Sequence, residues 1–238
     1  MPLRSAKRLE KVLARERGWA PGIRALKDQI RPFLLIQACV VGLVVAYYNL
    51  PAVASFAETL AKLKEQGGLP FAFIATAFAG VILPELFKVA TKDQHRLKRG
   101  ELVFMFLVFG FNGLIVDTLY RLLGMLFGNE NDFKTVALKV IADQSLAAPL
   151  VFMPYFVLMV LWGHHGFSVQ AVRQELKKEP LFRKIWPALI VGWAFWIPAL
   201  SGIYAMPQKL QFVLFLFVEA AWSLIIIHVA KSMNEAKS

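Results

Sequence analysis

Cysteine is nearly missing from this sequence, with Cys39 the single instance, so neither an intrachain disulfide nor a thiolate metal cluster is available to it. Acidic residues are scarce too: 16 Asp and Glu stand against 27 Lys and Arg, a net charge of +11. The surplus basic residues lie between apolar blocks and at the N-terminus. That distribution points to anionic lipid headgroups and away from a nucleic-acid groove. No His-x-x-x-His, Gly-x-Ser-x-Gly, Walker-type glycine loop or Cys-x-x-Cys occurs, which removes the commonest catalytic and nucleotide-binding signatures. The sequence therefore implies no enzyme, no cofactor and no metal. His164 and His165 are adjacent, so on a helix they point about 100° apart and read as interfacial residues at a helix end. No internal repeat is visible, which leaves an inverted-repeat transporter without support.

What the chain has in excess is apolar residue. Hydrophobic residues make up 58% and mean hydropathy is +0.55, whereas soluble domains hold about 45–50% apolar residues. The excess implies an all-α, polytopic transmembrane bundle. A span needs about 20 largely apolar residues to cross roughly 30 Å of hydrocarbon. Six windows approach that length: Phe33–Phe56, Leu69–Phe87, Leu102–Phe127, Ser145–Gly163, Ile185–Tyr204 and Leu210–Ala230. The second and fourth are the shortest and carry prolines, so a count of five stays open. Basic residues favour six. Nine precede the first window, five separate the second from the third, five the fourth from the fifth, and two follow the sixth. With six crossings these four segments share one side. The other side keeps Lys62, Lys64, Arg121, Lys134, Lys139 and Lys209, and both termini lie on the positive, cytoplasmic or matrix side.

The chain divides into a basic N-terminal segment (1–32), an extra helix and loop (33–68), a main bundle (69–231) and a polar tail (232–238). The N-terminus is not a secretory signal, since its apolar run begins only at Phe33. Leu3, Ala6, Leu9, Val12 and Leu13 recur at helical spacing opposite Arg4, Lys7, Arg8, Lys11 and Arg15. This predicts an amphipathic helix on an anionic membrane surface, or else one packed on a partner domain. A second amphipathic stretch falls between Phe167 and Phe182, with Val169, Val172 and Leu176 on one face, and Pro180 should stop it.

Ionisable residues inside a bilayer cost about 2.5–3.5 kcal/mol near a helix centre and so face the bundle interior or water. Asp117 is the foremost of them. Asn112, Gly113, Val116, Asp117 and Tyr120 share one helical face, a small and polar one. Two readings stand for Asp117: a pathway-lining carboxylate, or a structural one held by Arg121 or by a hydroxyl on a neighbouring helix. Glu219 is flanked by aliphatic residues and cannot point at lipid. Glu85 should pair locally with Lys88. Asp143 and Gln144 stand where they would cap the helix of the fourth window, with Asp143 at its electropositive start. Pro149, Pro154 and Pro198 lie inside predicted spans and should kink them.

Taken in order, Tyr120, Asp143-Gln144 followed by Pro149, Trp186-Pro187 followed by Pro198, and Trp222 resemble the motifs of the Mpv-seventeen family, also called the twenty-two-kilodalton peroxisomal membrane protein family. The similarity runs from Leu69 to Lys231, about two thirds of the chain. Departures include Leu83-Pro84 where the family has Gly-Asp, no proline in Phe111–Gly113, Ile190 and Trp193-Ala194 in place of a glutamine and an Asn-Phe, and no arginine near Ser201-Gly202. The pattern is similar to that of a distant, bacterial-type member. The resemblance implies a small multi-pass protein of a bacterial inner, mitochondrial inner or peroxisomal membrane, associated with channel-like conduction.

Two functions follow as expectations. One is a channel-like pathway for small solutes or ions lined by Asp117 and Glu219, assisted by Asn112 and Tyr120, with carboxylates favouring cations. The other is a non-conducting scaffold that docks partners through its basic amphipathic helices. Expected partners are the lipid bilayer, anionic lipids at the N-terminus, a small solute or ion and, for some assemblies, further copies of the chain.

Overall fold

A computed structural model describes the backbone of residues 20–92 and 96–235, and the side chains within that range except 20–29, 31–32, 187 and 224–235. The amphipathic helix expected over Leu3–Arg15 lies outside the described residues. The described chain is all helix, and no strand occurs in it. Its elements are α1 (Ala20–Asn49), α2 (Pro51–Ala77), α3 (Leu83–Ala90), α4 (Arg99–Phe127), α5 (Phe133–Ala142), α6 (Met153–His164), α7 (Val169–Lys178), α8 (Leu181–Tyr204) and α9 (Gln208–Glu235). A π-helical segment, Phe78–Ile82, joins α2 to α3, and another, Asp143–Phe152, joins α5 to α6.

Among the described residues, three continuous runs are long and apolar enough to cross a membrane: Pro51–Ala90, Arg99–Phe127 and Phe133–His164. Phe33–Asn49 and Ala188–Tyr204 are shorter apolar helices. Exposed side chains such as Leu35, Ile74, Phe111, Met125 and Leu150 suit a lipid solvent.

Two boundaries differ from the hydropathy windows. The first window crosses a turn: α1 ends at Asn49, Leu50 is extended, and Pro51 starts α2. Proline has no N–H to bond the preceding turn but is preorganised for a helix start. Apolar residues on both sides hide this break from a hydropathy sum. The loop expected over 57–68 is helical, because α2 runs on from Pro51. It breaks only at Gly68, where φ 52 and ψ −133 suit a residue without a Cβ.

α2 and α4 run antiparallel in close contact. A Cβ on Gly113 would collide with the Ala72 carbonyl oxygen and Thr76, so glycine permits that approach. α1 and α8 run in the same direction. Gln37 donates its Nε2 to the Phe195 carbonyl at 2.8 Å, Gly202 faces Val40, and Tyr48 OH reaches the Ala205 carbonyl at 3.5 Å. α9 packs among α1, α2, α4 and α8, with Val213, Phe215 and Val218 in the main core beside Phe195, Ile203 and Tyr204. Phe33, Phe195 and Trp222 form an aromatic cluster inside it, Phe195 and Trp222 at 4.3 Å between centroids. The amphipathic stretch after Phe167 forms α7, capped by Ser168, whose Oγ accepts from the Ala171 N–H. α7 ends before Pro180.

Candidate functional site

The interior of the bundle is polar in places, and the polar residues gather around α4. Asn112, Gly113, Val116, Asp117 and Tyr120 are all buried, as their spacing on one face implies. Asp117 is held from two sides. Lys64 Nζ of α2 makes an ion pair with its Oδ1, and Arg121 Nε, one turn on, lies 3.1 Å from its Oδ2. Lys64 is itself buried, with its ammonium 5.4 Å from the Phe212 ring centroid. The Arg121 partner was legible as an i, i+4 pair. The Lys64 partner was not, because hydropathy placed that lysine in a loop.

Asp143 belongs to a second cluster and does not cap a helix. The helix is continuous through it from Phe133, and the N-cap is Asp132, which accepts from the Lys134 and Thr135 N–H groups. Two features mislead here: a polar pair at the edge of an apolar window reads as a boundary, and a π segment carries the chain through without one. Asp143 is 3% exposed. Its Oδ2 accepts from the Tyr204 hydroxyl and its Oδ1 from Gln144 Nε2 at 2.8 Å. The Trp193 indole N–H donates to the Gln144 carbonyl at 2.9 Å. In a π segment the bond to that carbonyl would come from residue 149, which is proline and has no N–H. Trp193 of α8 thus supplies the donor that Pro149 removes.

Tyr120 joins the two clusters. Its ring lies 5.2 Å from that of Tyr204 and 6.2 Å from that of Phe215, and it is within electrostatic reach of both Asp143 and Glu219. Glu219 on α9 is 4% exposed and forms no ion pair with any described residue. Around these groups, Thr76 Oγ1, Asn112 Oδ1, Lys139 Nζ and Gln211 Oε1 are buried without a hydrogen-bond partner among the described residues. Lys139 and Gln211 carried no sequence signal, since a single polar residue on an apolar helix has no register by itself.

The remaining motif residues are structural by position. Trp186 is partly exposed and packs edge-on against Trp193 at 5.9 Å. Pro198 is exposed on α8, Trp222 lies in the aromatic cluster, and the side chain of Pro187 lies outside the described ones. Glu85 pairs with Lys88 at 2.6 Å and also accepts from the Leu97 N–H at 3.2 Å. Among the described residues no three His, Cys, Asp or Glu side chains stand close enough to hold a metal ion. No family model matches the chain, and neither a curated protein nor a solved structure matches it.

Proposed function

We propose that this chain is a six-crossing membrane protein, of the kind its resemblance to the Mpv-seventeen family implies, and that its polar interior carries a channel-like pathway for small cations or polar solutes. One observation carries the reading: Asp143, Tyr204, Tyr120 and Glu219, from four helical segments, are buried ionisable and hydroxyl side chains, with the Tyr204 hydroxyl on Asp143 and the two tyrosine rings 5.2 Å apart. Such groups are costly in lipid and are kept where an ion, proton or water meets them. Of the two readings of Asp117, the structural one is taken here, and Asp143 joins Glu219 in the pathway in its place. Asp117, compensated by Lys64 and Arg121, serves the wall by fastening α2 to α4. Glu219 and Asp143 have no cationic partner among the described residues and are the charges a passing cation feels. The Thr76, Asn112 and Gln211 oxygens, without a partner among the described residues, offer further acceptors along the same interior.

The test is flux. Proteoliposomes holding the purified chain should pass small cations in preference to anions, and Glu219→Gln should reduce that preference. Unchanged selectivity in a folded Glu219→Gln protein overturns the reading.

A second reading, the non-conducting scaffold, is favoured by α7, whose Arg173, Lys177 and Lys178 are exposed beside an exposed Val169. A scaffold leaks nothing in the same liposomes.

A further inference from the structure

We infer that the end of the bundle formed by the α1–α2 and α8–α9 turns holds a binding site for one acyl chain of a phospholipid whose headgroup carries both a phosphate and a primary ammonium. The site is a half-open pocket of about 380 Å³ walled by Leu43, Tyr47, Val53, Ala57, Leu210 and Phe217 together with their apolar neighbours. That volume falls in the range of small-molecule pockets, which are mostly apolar with a few placed polar groups.

The pocket's depth in the membrane is set by its walls. They are the last turns of α1, the first turns of α2 and the first turns of α9, so the site opens where the helices end and headgroups begin. Tyr47 both lines the pocket and donates its hydroxyl to Glu58 Oε1 at 3.1 Å. Glu58 Oε2 in turn pairs with Lys209 Nζ at 2.6 Å. Neither Glu58 nor Lys209 lines the pocket itself; Tyr47, which does, carries the wall to this charged pair and makes it the rim.

The rim selects the headgroup by charge. It offers one cation, on a largely exposed Lys209 side chain, beside one anion, on a partly exposed Glu58. A headgroup with a single negative charge would meet Lys209 but leave Glu58 facing its phosphate. A zwitterion satisfies both: phosphate on the ammonium of Lys209, ammonium on the Glu58 carboxylate. A primary ammonium has N–H donors for that carboxylate, whereas a quaternary one has none. Tyr47, amphipathic and at the membrane–water boundary, suits the same position.

The inference needs only that the chain lies in a membrane, so it stands or falls apart from the conduction reading. The purified full chain, in mild detergent, is offered phosphatidylethanolamine, phosphatidylcholine and phosphatidylglycerol in turn, and retained lipid is read by native mass spectrometry. Phosphatidylethanolamine should be retained most strongly, and its single-chain lyso form should be retained as well. Val53→Trp, which fills the pocket, should abolish the adduct. Glu58→Gln, which keeps the Tyr47 contact and leaves the pocket open, should erase the preference over phosphatidylcholine while the protein keeps its helix content. Equal retention of all three lipids, a preference for phosphatidylglycerol, or an undiminished adduct in Val53→Trp overturns the proposal. Should Val53→Trp fail to fold, an unaltered headgroup preference in Glu58→Gln overturns it alone.

Discussion

Lys64 and Asp117 illustrate what one pair of residues does in a buried interior. Both side chains are nearly inaccessible, 11% and 3% exposed, so removing one partner leaves the other charge without compensation. Asp117→Asn is expected to cost about 3–5 kcal/mol, and Lys64→Met combined with Asp117→Leu to recover most of that loss; unfolding in mixed detergent micelles checks both. Equal losses in the single and double variants would show that the pair contributes shape and not charge balance. The Trp193 N–H is a second single-atom effect. Trp193→Phe keeps most of the ring burial but strips the Gln144 carbonyl of its donor, a loss of about 1–3 kcal/mol, and a stability equal to the parent's would refute the substitution of Pro149 by the indole. Of these residues, Asp117 and Arg121 were legible as important because charge in an apolar window is conspicuous, and Asp143 because it stands at the edge of one. Lys64, Tyr204 and Trp193 were not, since their roles rest on partners 53, 61 and 49 positions away.

At the scale of elements, the α2–α4 contact depends on the missing side chain at Gly113. Gly113→Ala drives a methyl group against a backbone carbonyl that cannot swing aside, and a loss of about 1–3 kcal/mol is expected. Gly100→Ala on the same helix meets nothing and should be neutral or stabilise by at most about 1 kcal/mol; thermal unfolding of the two variants side by side makes the comparison. α7 is tethered differently, by Lys184 Nζ bonded to Glu175 at 3.0 Å and Glu179 at 2.9 Å. The Lys184 hydrogen bond, over a smaller opposing effect of burial, holds the Glu175 carboxyl below the usual range. A carboxyl lowered in the folded state contributes stability above its unfolded value of about 4.3 and loses it as pH falls through the folded value. Amide exchange in α7 should therefore rise, relative to α4, on acidification below about pH 4.3, and Lys184→Met should remove that pH dependence. The helical character of α7 and its stop at Pro180 were plain from spacing. The turn at Leu50 was not, because Pro51 acts through a missing N–H to which hydropathy is blind.

On the scale of the whole molecule, the α1–α2 turn, the α4–α5 loop and the α8–α9 turn meet at one end, joined by Tyr48 to Ala205, Glu58 to Lys209, and Gln208 to the Tyr120 carbonyl. Six crossings require that this end face the opposite side of the membrane from α7. In a Cys39→Ala background, Asn131→Cys and Lys178→Cys, both at exposed positions, should react with a membrane-impermeant thiol reagent from opposite sides of oriented vesicles. Labelling of both from one side would refute the topology. The sequence by itself determined that the described chain is helical and apolar enough for a bilayer, because hydropathy and the 3.6-residue period are local properties that survive summation along the chain. That three of its helical runs, and not all six windows, reach membrane length among the described residues was set by where the helices break and continue. Only the tertiary structure decided that Asp117 is neutralised by Lys64, that Tyr204 bridges Asp143 and Tyr120, and that Tyr47 lines a pocket while donating to Glu58. Each of these depends on which residues face one another between helices, and the angles and depths at which helices pack are fixed by side-chain shape across the contact, of which a linear pattern holds no record.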